Sequence, residues 1–288
     1  MSYFIHLATL FSIYAILGVS LNLLVGFTGL VSVMHAAFFG IGAYAAAILM
    51  TKLGLNFFLA AIFGAVISGA IGCAMGWLFA RLGGDYYVMG SVAWNFIIVS
   101  IFINWESLTN GPLGIPGIPK PSFGNISFAS NASFLALSLI FLVCVYFVAR
   151  WIVSSSFGRV IKAIREDEEA AKVFGYHTLL FKVAVSGAAS AMAGIAGALF
   201  ASYITFIEPT TFSVMESVLI LAIVIFGGFA NIRGSVLGAL ALVLIPEALR
   251  FAGFSQEIAA NMQQLVYGLV LILFMLYRPQ GLMGEYKF

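Results

Sequence analysis

The chain has 288 residues, of which 62% are hydrophobic and only 8% are charged, and its formal net charge at pH 7 is +2. Soluble domains carry about 25% charged residues, so this composition excludes a soluble globular protein. The near balance of 13 basic and 11 acidic residues gives no reason to expect a nucleic-acid partner. The chain is predicted to be an all-α, polytopic membrane protein whose single transmembrane domain covers residues 1–288.

Nine apolar windows are long enough to cross a bilayer, because a hydrocarbon core of about 30 Å needs about 20 apolar residues in a helix. They lie at residues 3–25, 30–50, 55–80, 87–104, 133–152, 183–205, 211–230, 235–251 and 258–277. Glycines and polar residues cluster at one end of the second and seventh windows. These two windows are therefore predicted to contain broken or re-entrant helices, and the count of spans could be eight to ten.

Basic residues are concentrated between Arg150 and Lys182, a stretch that holds six of the 13 in the chain. Cytoplasmic loops of membrane proteins are enriched in Lys and Arg, so this stretch is predicted to be cytoplasmic. Nine spans then place the N-terminus outside and the C-terminus inside. Residues 153–182 become a cytoplasmic loop, and residues 105–132 become an external loop.

Residues 109–119 of the external loop are rich in glycine and proline, which favour turns and prevent a continuing helix. The pattern predicts an ordered cap that could serve as a docking surface. A connector that only packs on the helix ends would have the same composition.

Two windows carry small residues at strict four-residue spacing, a pattern typical of close helix contacts in membranes. In the third window these are Gly64, Ser68, Gly72 and Gly76, and in the sixth they are Ser186, Ser190, Gly194 and Ala198. They predict a tightly packed bundle, within one subunit or between subunits.

The chain lacks the groups that bind nucleotides or metals. It has no phosphate-binding loop, the dipeptide Gly-Lys never occurs, and three scattered histidines indicate no metal site. We therefore expect no enzymatic activity and no cofactor. No acidic residue is predicted at mid-depth, since Glu216 lies near the end of a window, and this argues against a proton-coupled carrier.

Two short helices are predicted in the cytoplasmic loop, at about 159–165 and 167–174. Asp167 is placed to cap the second helix, and Gly175 is placed to end it. Apolar side chains then remain that a groove on another protein could accept. These are Ala170, Ala171, Val173 and Phe174. An amphipathic helix held by lipid headgroups is the alternative.

The same loop resembles a known family. Glu169-Ala170-Ala171 followed by Gly175 resembles the coupling motif of ABC importer permeases, and its surroundings are similar to permeases for branched-chain amino acids of the LivM type. Further similar stretches are Leu21–Gly26, Gly29–Ser32, Gly40–Tyr44, residues 109–119, Gly194–Ala198 with Ala201, Gly227–Gly234, Gly238-Ala239 and Pro246-Glu247. The chain departs from the longer form of the motif by lacking an Ile-X-Leu-Pro element.

The resemblance implies a complex in a bacterial-type inner membrane. Its other members are two ATPase subunits, a homologous second permease and an external substrate-binding protein. The resemblance assigns an ATPase contact to Arg165, Glu166, Asp167, Glu168, Glu169, Ala170, Ala171 and Gly175. Docking of the binding protein is expected at Asn110, Gly111, Pro112, Pro116 and Pro119.

Polar residues within apolar windows are the candidates for the substrate path. They are Asn22, Ser32, His35, Asn95 and Glu216. Gly26–Gly29 and Gly227–Gly234 interrupt two spans, and helix breaks often face a cavity. Each of these polar residues could instead bond only to a neighbouring helix.

The function expected from these features is import of branched-chain or related hydrophobic amino acids by alternating access, driven by a partner ATPase. The same architecture importing urea, amides or other amino acids is an alternative. A passive channel or ion-coupled carrier is a third hypothesis, and such a protein would need no ATPase and no docking helix.

Overall fold

A computed structural model describes residues 2–123, 126–251, 265, 268–269, 272, 276–277 and 281–284. Its helices are α1 (Ser2–Thr28), α2 (His35–Leu53), α3 (Phe57–Phe79), α4 (Asp85–Asn104), α5 (Glu106–Thr109), α6 (Asn131–Ser154), α7 (Ser156–Glu166), α8 (Glu168–Val173), α9 (Thr178–Ile204), α10 (Val214–Gly227) and α11 (Ile232–Phe251). Most of the predicted window at 258–277 lies outside the described residues.

Six of the described helices are long and apolar enough to cross a membrane, namely α1, α2, α3, α4, α6 and α9. The prediction of an all-α, polytopic membrane protein is confirmed at this level. Two of the other predicted spans correspond to shorter apolar helices, Val214–Gly227 and Ile232–Ile245.

Helix α1 is the central element of the bundle and packs against α6, α9, α10 and α11. It is apolar on all sides, and such a helix is stable when it is surrounded by other helices. Two of its hydroxyl groups donate to its own backbone, Thr9 to the Ile5 carbonyl and Ser12 to the Ala8 carbonyl. These two donors therefore need no water as a partner.

The two predicted rows of small residues face each other between α3 and α9. The Ser68 hydroxyl donates to the Ser190 carbonyl at 2.8 Å, and a Cβ added to Gly194 would lie 3.0 Å from the Gly64 carbonyl oxygen. A Cβ on Gly72 would collide with the Ser190 side chain. The close packing predicted from the four-residue spacing is therefore present, and it lies within one subunit.

Helix α2 begins part-way through the bundle. The chain is not helical between Gly29 and Met34, and the Ser20 hydroxyl meets Nε2 of His35, the first residue of α2, at 2.7 Å. Ser20 is eight residues before the end of α1, which corresponds to about 12 Å along a helix. The second predicted span thus has the expected break at its start.

Helix α10 also starts at mid-depth. The Tyr14 hydroxyl, near the midpoint of α1, donates to Glu216 in the first turn of α10 at 2.8 Å. Its 14 residues extend only about 21 Å, less than the hydrocarbon core. The break predicted for the seventh span is therefore present. The expectation of no acid at mid-depth is wrong for Glu216, because the end of its helix lies inside the bundle.

The segment between α4 and α6 is folded against the helix ends. Strand β1 (Ile115–Pro116) pairs antiparallel with β4 (Phe206–Ile207), and β2 (Ser122–Phe123) pairs with β3 (Ile126–Ser127). The amide of Ile118 donates to the Thr205 carbonyl at 3.1 Å. We call this end of the bundle the cap side, and the end that carries α7 and α8 the loop side.

The contact of α2 with α9 has no room for a side chain. A Cβ on Gly42 would collide with the backbone of Gly194, whereas a Cβ on Gly83 would meet nothing within 4 Å. Because backbone cannot move aside as a side chain can, Gly42→Ala should lower stability by about 1–3 kcal/mol. Thermal unfolding of the detergent-solubilised protein measures this, with Gly83→Ala as the matched control. Equal unfolding temperatures for the two variants would contradict the packing described.

Candidate functional site

Helices α7 and α8 form on the loop side, close to the predicted bounds. Ser155 caps α7 by accepting from the Gly158 amide, and Asp167 caps α8 by accepting from the Ala170 amide at 2.9 Å. The cap at Ser155 starts α7 three residues earlier than predicted. The predicted cap at Asp167 is confirmed.

Helix α8 ends in a Schellman motif. Gly175 has a φ of 88°, its amide donates to the Lys172 carbonyl at 2.9 Å, and the Tyr176 amide donates to the Ala171 carbonyl at 3.2 Å. This turn leaves the Val173 and Phe174 side chains 87% and 81% exposed. Two of the four predicted apolar side chains are thus available at the end of α8, whereas Ala170 is half-buried and Ala171 is buried.

Glu168 anchors α8 to the start of α9. Its carboxylate accepts from Lys182 Nζ at 2.5 Å and from the Thr178 hydroxyl at 3.0 Å, and Lys182 is buried. Burial acts to raise the pKa of Glu168, but the hydrogen bonds and charges of Lys182, Thr178 and Lys172 outweigh it and lower that pKa below its usual value. This pair was not predicted, because its members are fourteen residues apart on different helices.

Helix α7 contacts the end of α1. The Arg165 guanidinium donates to the Gly26 carbonyl, and Lys162 Nζ lies 5.4 Å from the centre of the Phe27 ring. A Cβ on Gly29 would touch the Arg165 side chain at 3.0 Å. These contacts join the loop helices to the residues where α1 stops and the chain turns back into the bundle.

The predicted ATPase-contact residues fall into two groups by exposure. Those that are exposed are Glu166, Asp167, Glu169 and Gly175, and those that are half-buried or buried are Arg165, Glu168, Ala170 and Ala171. The first group is free to meet another protein. In the second group, Arg165 and Glu168 hold the loop against the bundle.

The start of α2 is surrounded by hydroxyl and amide groups from α4 and α10. The Val33 amide donates to Ser91 Oγ and the Ala36 amide to Ser217 Oγ, each at 2.9 Å. Asn95 Nδ2 donates to the same Ser217 oxygen at 3.1 Å. Ser32, His35 and Asn95 are thus brought together as predicted candidates. Ser217 was not predicted, because a serine in a span is usually a packing residue.

Glu216 precedes Ser217 on α10, but its carboxylate turns toward Tyr14 of α1. It lies half-buried beside this cluster rather than within it. We refer to Ser32, His35, Asn95 and Ser217 as the mid-depth cluster. All four side chains are at most 1% exposed, so the bundle is closed at this level.

Asn22 lies apart from the mid-depth cluster and binds the break between α10 and α11. Its Nδ2 donates to the Asn231 carbonyl at 3.0 Å and to Ser235 Oγ at 2.6 Å, and its Oδ1 accepts from the Ala230 amide at 3.1 Å. The Asn22 side chain therefore supplies hydrogen bonds that backbone groups of this turn would make to one another if the turn were helical.

A cleft of about 750 Å³ opens between α8, the α3–α4 turn and residues 28–31, where α1 ends. Its charged lining includes Arg81, Asp85, Arg165 and Lys182. Leu30 and Val31 line the cleft, and Ser32, the next residue in the chain, is buried.

The predicted docking residues of the cap are mostly at the surface. Asn110, Pro112, Pro116 and Pro119 are exposed, whereas Gly111 is buried. Asn110 has a φ of 66° and its side chain donates to the Gly114 carbonyl at 3.1 Å, which fixes the turn. Leu113, which was not among the predicted residues, is 79% exposed on the same turn.

A bundle of apolar helices with two helix starts at mid-depth, and with a helix pair projecting at one end, is typical of a multi-pass membrane protein. The sequence profile described as branched-chain amino acid transport system, permease component, matches residues 3–275. The chain belongs to this family of ABC transporter permeases.

Individual relatives agree with this assignment. The high-affinity branched-chain amino acid permease protein LivM of Escherichia coli is 32% identical, over 97% of this chain and 69% of the relative. A probable LivM of Methanocaldococcus jannaschii is 24% identical over 96% and 91%, and LivH of Salmonella typhimurium is 27% identical over 96% and 93%. No solved structure matches the chain.

Replacing Asn22 tests its role at the α10–α11 break. Asn22→Ala should lower stability by about 1–3 kcal/mol or more, because the buried Ala230 amide and the Asn231 carbonyl lose partners. Thermal unfolding is the measurement, with Asn104→Ala as control, since Asn104 is exposed and bonds only within its own helix. An Asn22→Ala protein as stable as that control would refute this role.

The Glu168–Lys182 pair should make stability depend on pH. Because the folded-state pKa of Glu168 lies below its unfolded value of about 4.3, the pair stabilises the fold above that pH and stops doing so as pH falls through the folded pKa. The difference in unfolding temperature between the wild type and Glu168→Gln should be largest near neutral pH and vanish in acid. Glu169→Gln is the control, because Glu169 pairs with Lys172 only at the exposed surface. A pH-independent difference for Glu168→Gln would contradict the assignment.

Proposed function

We propose that this chain is a membrane-spanning subunit of an ATP-driven importer of branched-chain or related hydrophobic amino acids. It would work with two ATPase subunits, a homologous second permease and an external substrate-binding protein. Membership of the branched-chain amino acid permease family supports the substrate class. The observation that carries the ATPase partnership is the exposed end of α8 within the Glu169-Ala170-Ala171…Gly175 motif.

Docking on the ATPase is assigned to α8 because its geometry suits insertion into a groove. Val173 and Phe174 project from a helix end that Gly175 turns back toward α9. The ion pair of Glu168 and Lys182 attaches α8 to α9. A force on the exposed end of α8 would therefore be transmitted to the transmembrane helices. Burial of the two apolar side chains would supply most of the contact energy.

The motion of the ATPase would reach the bundle through α7. Arg165 and Lys162 touch the last residues of α1, where the chain leaves the helix and turns toward α2. A shift of α7 therefore acts on the segment that leads to the mid-depth cluster. This route supports alternating access driven from the loop side.

The loop side is assigned to the cytoplasm of a bacterial-type cell, with the protein in the inner membrane. The concentration of basic residues between Arg150 and Lys182 supports this orientation. The N-terminus would then be outside, which is supported by the position of Ser2 at the opposite end of α1 from the residues that contact α7. The C-terminus is placed inside, which is supported by the contact of Met283 with Gly227 at the loop-side end of α10.

The substrate path is assigned to the mid-depth cluster, with Glu216 beside it. The charged cleft on the loop side would be the cytoplasmic exit, and Asn22 would hold the α10–α11 break at the inner end. The cap, with Asn110, Gly111, Pro112, Pro116 and Pro119, would receive the binding protein. Exposed Leu113 provides an apolar contact there.

Other functions are less well supported by the family. Urea and amides would suit the same architecture, but LivM and LivH are named for branched-chain amino acids. The half-buried Glu216 would suit an ion-coupled carrier, yet such a carrier would have no use for the exposed end of α8.

Reversing the charge of Glu169 tests the docking helix. Glu169 is 83% exposed and pairs only with Lys172, so Glu169→Lys should fold normally. We expect it to lose both co-purification of the ATPase and ATP-dependent amino-acid uptake. Glu208→Lys, a charge reversal on the cap side, should keep the ATPase. Unchanged uptake and ATPase recovery in Glu169→Lys would refute the proposal.

Gly175 allows a separate test of the shape of the same turn. Among the described residues no atom lies within 4 Å of a Cβ built there, so the positive φ is the main constraint on a substitution. Gly175→Val should impair ATP-dependent uptake strongly, whereas Gly175→Asn should largely keep it, because asparagine tolerates this backbone region better than β-branched residues. The measurement is the rate of ATP-dependent uptake in proteoliposomes. Equal rates for the two variants would contradict a role for the shape of this turn.

A further inference from the structure

The starts of α2 and α10 meet inside the bundle and run in opposite directions from that point. Ala36, in the first turn of α2, donates its amide to Ser217, in the first turn of α10. A helix start carries partial positive charge from its unpaired amides, and the low polarity of the surroundings strengthens its effect. Two such ends at one depth favour negative charge there.

The two helix starts differ in the groups that compensate this partial positive charge. Helix α10 carries Glu216 in its first turn, whereas α2 has no acidic residue there and its N-cap residue, Met34, makes no side-chain cap hydrogen bond. The amides of Val33, Met34 and Ala36 at this start donate to the neutral hydroxyls of Ser91, Ser32 and Ser217. The Ala37 amide donates to the Met34 carbonyl. The Ser217 oxygen thus occupies a position that an anionic oxygen would fill more favourably.

Asn95 supplies an independent sign of a ligand at the same place. Its side chain is fully buried and one end of its amide bonds to Ser217, but Oδ1 has no hydrogen-bond partner in the part of the chain that the structure describes. Exchanging the two ends of the amide would leave the nitrogen without a partner instead. A buried polar atom without a partner costs about 1–3 kcal/mol, so a group that completes it during transport would be bound favourably.

The two features complement a zwitterion. A carboxylate suits the amides at the start of α2, and an ammonium group suits the Asn95 oxygen. A neutral solute such as urea or an amide would gain little from either end. The hydrophobic remainder of the solute would face apolar neighbours such as Phe39 and Phe212, which pack beside the start of α2.

We propose that the junction of α2, α4 and α10 is a transient binding site for α-amino acids, with the carboxylate at the Ala36 amide in place of Ser217 and the ammonium group at Asn95 Oδ1. This inference rests on the proposed importer function and names the solute class at its mid-depth cluster. The fully buried state described here is then the closed form, in which Ser217 substitutes for the solute.

The first test is the number of leucine molecules transported per ATP hydrolysed by the complete transporter in proteoliposomes, with loaded binding protein outside. For Asn95→Leu we expect this ratio to fall about tenfold or more, as loss of a hydrogen bond to a charged group implies. Hydrolysis of ATP stimulated by the binding protein should change less than about twofold, because Asn95 is buried in the mid-depth cluster and does not line the cleft beside α8. Asn95→Asp should keep the ratio, because its carboxylate accepts from an ammonium group and from the Ser217 hydroxyl.

Asn104→Leu on the same helix is the control, because Asn104 is exposed and bonds only to the Ser100 carbonyl. An unchanged ratio in Asn95→Leu, or an equal loss in Asn95→Asp, would overturn the site. The importer function itself would be refuted by a different result, namely a wild-type complex whose ATPase does not respond to the binding protein. The two failures are therefore distinguishable.

A second test identifies the chemical class directly and does not depend on the transport rate. In the complete transporter, Ser217→Cys is combined with replacement of Cys73 and Cys144 by Ala, and modification by a small methanethiosulfonate is followed during ATP turnover. Leucine should slow modification at least about fivefold, whereas leucinamide and 4-methylpentanoate, which each lack one charge, should not. Equal protection by all three compounds, or no modification of Ser217→Cys under any condition, would overturn the inference.

Discussion

The whole arrangement depends on one constraint: inside a bilayer, a backbone group that leaves a helix must find a partner within the protein. Helices α2 and α10 both start at mid-depth, and the turn between α10 and α11 also lies inside the bundle. Serine hydroxyls at 91 and 217 satisfy the first break, and Asn22 satisfies the last. The polar side chains in the apolar windows are therefore positioned by the breaks they complete.

Close packing elsewhere makes these breaks possible. The glycine and serine rows of α3 and α9 bring the two helices into backbone contact, and Gly42 brings α2 onto α9 in the same way. Contacts of this kind carry much of the association energy where lipid provides no hydrophobic drive between helices. A helix too short to cross the bilayer, such as α10, can then be held in place by packing against this rigid group of helices.

The parts of this fold that the sequence predicted are those governed by local spacing. The four-residue rows of α3 and α9, the Asp167 cap and the Gly175 turn each depend on residues within a few positions of one another, and each is present. Glu216, Ser217 and Lys182 depend on which helix lies opposite. Single-chain spacing cannot show that the end of α10 faces the middle of α1, so Glu216 was predicted at the wrong depth. Nor could it pair Lys182 with Glu168 or single out Ser217 from the other serines.

Helix α1 connects the two regions in which the function is proposed. At its loop-side end Gly26 and Phe27 meet Arg165 and Lys162, and about two turns earlier Ser20 meets His35 at the start of α2. A continuous helix transmits a displacement along its length with little loss, because each backbone hydrogen bond resists stretching. In the proposed importer, a pull on α8 would therefore move α7 and α1 together, and it would open or close the junction of α2 with α10. The solute site and the ATPase contact need no direct contact with each other, because both are attached to the same helix.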